Sequence, residues 1–346
     1  MQQNENNLTY LKHRYISLLI FCAISCILLS SCTASLSEES QESVMNSVVE
    51  TNNDPNWEHR LYTPTFVEKI DDLYFIVDCW HHRVIYNDCI TDSIDQWKTL
   101  DDTLGGPHSI ASDGELYVVE DTGNHAVKVY VRDENNKFLL TQHIHDITYR
   151  PHRVLYSPVT ELFYVLGSTG GNLYIFKNNK GNLELADTKT LECLQDTYVR
   201  SNRIIDGKMY FVSGKNKIVV SNYVSGSFEV MEEYPVPDEI AGMNDVQKIG
   251  EYFYISATPQ KLVRVKDLED LASGTYEDVF DNLGYRGTPY YFSMIDGRLF
   301  LPEITEYSSI ISWAVDEHGD LHDMERLLDF GLPTTASEHR KAEIPT

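Results

Sequence analysis

The chain has little positive charge for its size. Its 346 residues include 28 Lys and Arg against 53 Asp and Glu, which gives a formal net charge of −25. A surface that binds nucleic acid needs clustered Lys and Arg, so this balance predicts no nucleic-acid partner. The acidic residues form no run of five, and 42% of the chain is hydrophobic. A disordered acidic polymer is therefore excluded, and a folded domain with acidic residues spread over its surface is favoured.

Helical patterning and the common catalytic motifs are also missing. No stretch keeps a 3.6-residue apolar period through three turns, whereas the 22 Tyr and the many Val and Ile favour strands. The chain has no Ser-centred nucleophile elbow, no phosphate-binding glycine loop and no His-Glu-x-x-His motif. These absences favour an all-β protein and exclude the hydrolase and nucleotide-binding classes that those motifs define.

The N-terminal 31 residues read as a secretory signal. Lys12 and Arg14 precede an apolar run over residues 15–29, which is shorter than the roughly 20 residues that a membrane-spanning helix needs. The run ends in Leu-Ser-Ser-Cys32, which resembles the bacterial lipobox. The resemblance implies that residues 1–31 are removed and that Cys32 is lipidated. We therefore expect a lipid-anchored, extracytoplasmic protein of a bacterial cell envelope that contacts the membrane only through this anchor.

Two short segments and three cysteines complete this part of the interpretation. Residues 32–56 are rich in Ser, Glu and Asn and are predicted to be a flexible tether, and residues 336–346 a C-terminal tail.

After the signal and Cys32, the remaining cysteines are Cys79, Cys89 and Cys193, an odd number without metal-type spacing. A bridge between Cys79 and Cys89 stays open at this point.

The rest of the chain, residues 57–335, is a sixfold repeat. Each unit opens with a short strand, followed by an aromatic-rich strand, a loop, an alternating strand and a more variable fourth strand. Matching positions recur at steps of 43, 44, 50, 43 and 45 residues, and the units open at 63–72, 106–114, 150–158, 200–207, 243–250 and 288–297. Four strands in a period of about 40–50 residues predict a six-bladed β-propeller of antiparallel blades.

One unit also resembles a known repeat family. Residues 106–121, Gly-Pro-His-Ser-Ile-Ala-Ser-Asp-Gly-Glu-Leu-Tyr-Val-Val-Glu-Asp, are followed by Asn124 and His125, and the first unit repeats that ending from Asp78 to Arg83. This pattern resembles NHL-type six-bladed propellers. The resemblance covers residues 60–331 as a fold and only the first two blades as a motif. It implies architecture and leaves the function open.

The repeat predicts where a site would lie. The loop that leads into the first strand and the loop between the second and third strands share one face of a propeller, close to its axis. Pockets at such axes are the usual ligand sites. We therefore expect an axial ring that consists of Thr65, His108, His152, Asn202, Asp245 and Tyr290 or Tyr291. The loop residues Trp80 and His81 are expected to lie beside it.

Some polar residues near this face have a structural explanation. His82 and His125 fall in the repeat element, where they are predicted to tie the hairpin loop. Trp80 either offers a stacking platform to a ligand or covers the edge of the core. Four arginines flank the axial positions and either bind an anionic ligand or pair with carboxylates: Arg150, Arg153, Arg200 and Arg203.

If the axial ring is catalytic, it could use either a metal ion or acid–base chemistry without a metal. His108, His152, Asn202 and Asp245 could ligate a divalent metal, the one cofactor that these residues suggest. The Pro-His openings resemble those of peptidyl-hydroxyglycine lyase propellers, in which axial histidines hold zinc. Calcium-dependent lactonase propellers instead use a Glu/Asn/Asp set, which Asn202 and Asp245 match in type only. Without a metal, a His–Asp pair could perform acid–base chemistry.

The favoured interpretation is binding without turnover. We expect a monomer that binds an extracellular ligand, either a small molecule, a glycan, a peptide or a partner protein. The ligand-binding candidates are Trp80, His81, His108, His152, Asn202, Asp245 and Tyr290. The alternative is a hydrolase or lyase whose catalytic candidates are His108, His152 and Asp245.

Overall fold

A computed structural model describes residues 56–214 and 216–331. The predicted signal peptide, Cys32, nearly all of the tether and the C-terminal tail lie outside the described residues. Within the described ranges, no helix is long and apolar enough to cross a membrane.

The described residues form a six-bladed β-propeller, as predicted. Each blade is an antiparallel sheet whose strands follow chain order from the axis outwards, and in the sixth blade the innermost strand is split in two. The strands are β1 Pro64–Ile70, β2 Leu73–Asp78, β3 Arg83–Asn87, β4 Lys98–Asp101; β5 Ile110–Ser112, β6 Leu116–Asp121, β7 Ala126–Arg132, β8 Phe138–Ile144; β9 Pro151–Ser157, β10 Leu162–Gly167, β11 Asn172–Asn179, β12 Asn182–Thr190; β13 Val199–Ile205, β14 Lys208–Ser213, β15 Lys217–Ser221, β16 Val230–Pro235; β17 Met243–Ile249, β18 Tyr252–Ala257, β19 Lys261–Val265, β20 Glu277–Asp278; β21 Thr288–Pro289, β22 Ser293–Ile295, β23 Arg298–Ile304, β24 Tyr307–Val315, β25 Leu321–Gly331.

Helical structure in this part of the chain is confined to short 3₁₀ helices between strands. They are Trp57–His59, Cys79–His81, Ile94–Gln96, Thr122–Asn124, Glu192–Leu194, Asp238–Ile240 and Leu268–Ser273. Two of them, Cys79–His81 and Thr122–Asn124, each end in a histidine with a left-handed backbone, His82 and His125.

The core lies between the blades. In the described residues, six apolar clusters are each drawn mainly from two consecutive blades, the last one joining the sixth blade to the first. Second strands such as β6 are buried on both faces, which is why most of their residues are apolar and do not alternate with polar ones. Outer strands such as β12 are largely exposed, which is why they vary in sequence. One blade cannot cover its own two faces, so neighbouring blades stabilise each other.

Within the described residues, the ring closes without a strand exchanged between the first and last blades. The backbone N–H of Tyr291 donates to Thr65 O at 3.4 Å, and the N–H of Thr63 donates to Ser308 Oγ at 3.0 Å. Ahead of β1, the Arg60 guanidinium donates to Gly331 O at the end of the last strand. The segment before the first blade therefore fastens the sixth blade to the first.

Candidate ligand site at the propeller axis

A β-bulge marks the same place on the innermost strands. In four blades, one residue near the start of the inner strand is skipped in the pairing with the second strand. The skipped residues are Thr65, His152, Arg200 and Asn244; His108 and Tyr290, each just after a proline, take the corresponding places in blades two and six. These six residues are called the axial ring below.

The bulges correct the predicted ring at two positions. The sequence alignment put Asn202 and Asp245 in it, whereas the pairing places Arg200 and Asn244 there. The alignment was two residues off at Asn202 and one residue off at Asp245. In the other four blades a proline directly precedes the ring residue, whereas Val199 and Met243 stand at that place in blades four and five, so the alignment had no fixed point there.

The ring residues touch one another around the axis. The His108 and His152 rings stack with centroids 3.9 Å apart, and the Tyr290 ring lies 6.1 Å from that of His108. Thr65 Oγ1 donates to His108 O at 3.0 Å, and Arg200 Nη1 donates to Asn244 Oδ1 at 2.5 Å. The structure therefore brings the predicted residues Thr65, His108, His152 and Tyr290 together.

Hydrogen bonds define the tautomer of His108. Thr122 Oγ1 donates to Pro151 O at 2.7 Å, so it accepts from His108 Nδ1, which lies 3.2 Å away. With the proton on Nδ1, Nε2 is an acceptor, and it faces Cys79 Sγ at 3.9 Å. None of Cys79, Cys89 and Cys193 is disulfide-bonded, so the bridge considered between Cys79 and Cys89 is not formed.

The same reasoning applies to His152. Tyr291 Oη donates to Arg200 O, so it accepts from His152 Nδ1, 2.8 Å away. Nε2 is therefore the unprotonated nitrogen, and among the described residues this buried atom has no hydrogen-bond partner. A buried acceptor without a donor costs free energy, so it calls for an outside donor.

Both axial histidines are held neutral. Burial lowers the pKa of His108 to about 3, with further lowering from the nearby charges of Arg150 and Arg200. Burial also brings the pKa of His152 well below its usual value, helped by His108 and the same two arginines. At physiological pH the pair therefore carries no charge and acts through neutral ring nitrogens.

Arg150 and Arg200 lie beside the axial ring, in a region called the axial mouth below, and neither has a carboxylate partner among the described residues. In that part of the chain the Arg200 guanidinium donates to neutral oxygens, those of Asn244, Thr258 at 3.0 Å and the Gly242 carbonyl at 3.4 Å. Nε of Arg150 is buried, and within the described ranges it has no partner. Both side chains are partly exposed, so the mouth presents positive charge to solvent.

One layer deeper, Asp245 is fully occupied. Its carboxylate accepts from Ser201 Oγ at 2.6 Å, from Arg153 at 3.3 Å and from Arg203, whose Nε lies at 3.2 Å. Burial alone would raise the pKa of Asp245, but the two guanidiniums outweigh it and hold that pKa below its usual range. Asp245 is thus a structural counter-charge, and an acid–base pair with an axial histidine is not formed.

Two other predicted residues lie outside the axial ring. Asn202 is fully buried; its Nδ2 contacts Met209 Sδ at 3.9 Å, and its Oδ1 has no hydrogen-bond partner among the described residues. His81 uses both ring nitrogens inside the fold, with Nδ1 2.6 Å from Asp78 Oδ2 and Nε2 2.9 Å from Trp57 O. Trp80 is partly exposed, and its ring lies 6.4 Å from that of Tyr62. These residues do not join the axial ring.

The metal set suggested by the sequence is accordingly not assembled. His108 and His152 are stacked, but Asp245 is paired with arginines and Asn202 packs beside Met209. Among residues 56–214 and 216–331, no group of three or more His, Cys, Asp or Glu side chains could hold a metal ion.

The histidines of the repeat element have a structural role, but they bind the next blade and not their own hairpin loop. His82 Nδ1 accepts the backbone N–H of Gly106 at 3.0 Å, and His125 Nδ1 accepts that of Arg150 at 3.1 Å. Each therefore ties its blade to the loop leading into the next one. This explains why the element appears in consecutive blades.

Tyr291, the alternative to Tyr290 in the predicted ring, contacts His152. Sequence reasoning missed three other residues at this site: Cys79 and Thr122 contact His108, and Glu120 holds the loop of His108 by accepting two backbone N–H groups at 2.5 and 2.6 Å. Burial raises the pKa of Glu120 to about 8. A usable signal existed only for Glu120, a charged residue at the end of an otherwise apolar strand.

Comparison with known proteins identifies the fold alone. No protein-family description and no curated protein matches the chain. Solved structures match it at low identity. A protein provisionally classed as a 6-phosphogluconolactonase from Bacteroides uniformis is 13% identical, with a TM-score of 0.55 over 79% of this chain and 86% of that one. The periplasmic gluconolactonase of Pseudomonas aeruginosa is 12% identical, with a TM-score of 0.53 over 79% and 86%. A streptogramin B lyase is 11% identical, with a TM-score of 0.51 over 80% and 85%.

Proposed function

We propose that this protein is a lipid-anchored, extracytoplasmic propeller that binds an extracellular ligand at its axial mouth. One observation carries the proposal: His152 Nε2 is a buried hydrogen-bond acceptor without a partner among the described residues, in a ring of polar and aromatic side chains. Native folds seldom leave such an atom unsatisfied unless something else binds it.

The protonation state of the histidines favours binding over acid–base catalysis. A general acid or base works best with a pKa near the working pH. With a pKa of about 3, His108 is a weak base and carries no proton to donate as an imidazolium. A neutral ring nitrogen is, however, well suited to accepting a hydrogen bond from a ligand.

The site can be tested on the full chain labelled with ¹⁵N-histidine. Cellobiose, tri-alanine and D-gluconate serve as probes for a glycan, a peptide and a small molecule. We expect at least one of them to shift the ring signals of His108 and His152, and His152→Phe to abolish that binding. Binding that leaves both ring signals unchanged, or no binding by any probe, contradicts the proposal.

The membrane anchor has its own test. In a bacterial host that lipidates proteins, the wild-type chain should incorporate labelled palmitate and partition into the detergent phase. Cys32→Ser should remain unlabelled and stay in the aqueous phase, while Cys89→Ser serves as the matched control. Equal labelling of wild type and Cys32→Ser would show that Cys32 is not the anchor.

A hydrolase or lyase is the second candidate, and one contact favours it. Cys79 Sγ faces the acceptor nitrogen of His108, whose other nitrogen is oriented by Thr122. This nucleophile, base and orienting group are the parts of an activated thiol. Hydrolysis of D-glucono-1,5-lactone that is lost in both Cys79→Ala and His108→Asn would establish this function. Turnover unchanged in Cys79→Ala excludes the thiol mechanism.

A further inference from the structure

We infer that the ligand of the axial mouth is a small hydroxylated organic anion. Arg150 and Arg200 hold its charged group, and Nε2 of His152 accepts a hydrogen bond from its hydroxyl. The inference rests on the proposed function, because it names the class of ligand for the same site.

The charge balance around the arginines is the first step. The chain has 53 acidic residues against 28 basic ones, so carboxylate partners are plentiful. Arg153 and Arg203, one layer deeper, pair with Asp245. Arg200 instead donates to neutral oxygens, and Nε of Arg150 has no partner among the described residues. Two guanidiniums for which residues 56–214 and 216–331 provide no counter-charge form a site for an external carboxylate or phosphate.

The histidines beneath are compatible with an anion although they are neutral. The field of Arg150 and Arg200 is one reason why His108 and His152 lose their protons, as their lowered pKa values indicate. A field that disfavours a positive imidazolium favours a negative ligand at the same place. The mouth therefore attracts an anion through its arginines and not through imidazolium groups.

The tautomer of His152 indicates that the ligand also carries a hydroxyl group. Its Nδ1–H is used by Tyr291, so Nε2 can only accept. A carboxylate or phosphate oxygen cannot satisfy this atom, because it also only accepts. A hydroxyl near the charged group can. The Tyr198 ring, which lies edge-on 5.5 Å from that of His152 and beneath the Arg200 guanidinium at 5.5 Å, supplies an apolar wall for the carbon chain.

Three six-carbon probes separate the parts of the inference by calorimetry on the full chain. D-Gluconate has both the anion and hydroxyls, hexanoate has the anion only, and D-glucitol has hydroxyls only. We expect D-gluconate to bind about tenfold more tightly than either of the others. Equal binding of D-glucitol or of hexanoate overturns the inference. If D-gluconate fails while cellobiose or tri-alanine binds, this inference fails and the proposed function stands; if no probe binds, both fail.

Variants assign the charge to its residues. Arg150→Gln and Arg200→Gln should each weaken D-gluconate binding about tenfold or more, because each removes a charge-assisted hydrogen bond. Lys266→Gln makes the same change in charge on the rim, where Lys266 pairs with Glu251, and should leave affinity unchanged. Arg200→Lys keeps the charge and should recover part of the affinity. Thermal unfolding identifies any variant that fails to fold. Unchanged affinity in both folded Gln variants contradicts the assignment.

Discussion

The neutral state of His108 should make the fold lose stability in mild acid. Burial lowers the pKa of His108 to about 3 in the folded protein, against 6.5 as its ordinary value. Below that ordinary value, the unfolded chain takes up a proton that the folded chain does not. Stability therefore falls as pH falls from about 6.5 to about 3, and the sign follows from the larger number of protons bound by the unfolded state.

The size of the effect follows from the two pKa values. Each pKa unit corresponds to about 1.4 kcal/mol, so the complete effect of His108 approaches about 5 kcal/mol. Between about pH 7.5 and about pH 5, most of the unfolded histidine becomes protonated while the folded one stays neutral. The free energy of unfolding then falls by about 2 kcal/mol because of this residue alone. His108 is only 9% exposed, so screening by solvent reduces this figure little.

The assay compares urea unfolding of wild type and His108→Asn at the two pH values. The asparagine amide can still donate to Thr122 Oγ1, but it does not titrate. The variant should lose about 2 kcal/mol less than wild type on acidification. His318→Asn, a change at an exposed histidine, controls for the substitution itself.

Buried acids act in the opposite direction, which is why a difference is measured. Burial raises the pKa of Glu120 to about 8 and that of Glu68 to about 7, so each destabilises the fold as pH rises from about 4.5 towards those values. Both residues are present in wild type and variant, and their contributions largely cancel in the difference. The reasoning is refuted if His108→Asn loses stability as steeply as wild type, or if the His108 ring titrates near pH 6.5 in NMR spectra.

Three further outcomes follow from the contacts. His81→Ala should lower the free energy of unfolding by about 2 kcal/mol, because it removes the buried hydrogen bond to the Asp78 carboxylate. The same variant should leave D-gluconate affinity within twofold in the calorimetric titration. A large loss of affinity would show that His81 belongs to the ligand site. Asp245→Asn should lower the free energy of unfolding by about 3–5 kcal/mol in urea, because it removes the charge that pairs with Arg153 and Arg203. Asp296→Asn breaks the exposed pair with Lys69 and should cost about 1 kcal/mol or less. Equal costs for these two variants would contradict the buried network. Glu120→Gln keeps a hydrogen-bond acceptor and should cost about 1 kcal/mol of stability. Glu120→Ala leaves two backbone N–H groups without an acceptor and should cost about 3 kcal/mol. The urea midpoint of Glu120→Ala should therefore lie below that of Glu120→Gln.

The blade architecture could be predicted because its signals are local. Runs such as Leu116–Asp121 and Leu73–Asp78 are buried on both faces and recur at nearly constant spacing. A structural role for His82 and His125 was also predictable, because both stand in the same short motif, but their bonds to the loop that begins the next blade were not. The strand pattern and the motif repeat along the sequence, so they can be recognised without knowledge of the contacts between blades.

The composition of the mouth depends on contacts that no local pattern encodes. The ring contains Arg200, two residues before Asn202, and Asn244, one residue before Asp245, and the alternation of the strands did not reveal these offsets. Whether an arginine is paired depends on which carboxylates the neighbouring blades bring within reach: Arg203 meets Asp245, while Arg200 meets neutral oxygens. The number and order of the blades thus follow from the sequence pattern. The charge of the axial mouth, the tautomers of its histidines and its unpaired hydrogen-bonding groups arise only when residues from different blades meet in three dimensions.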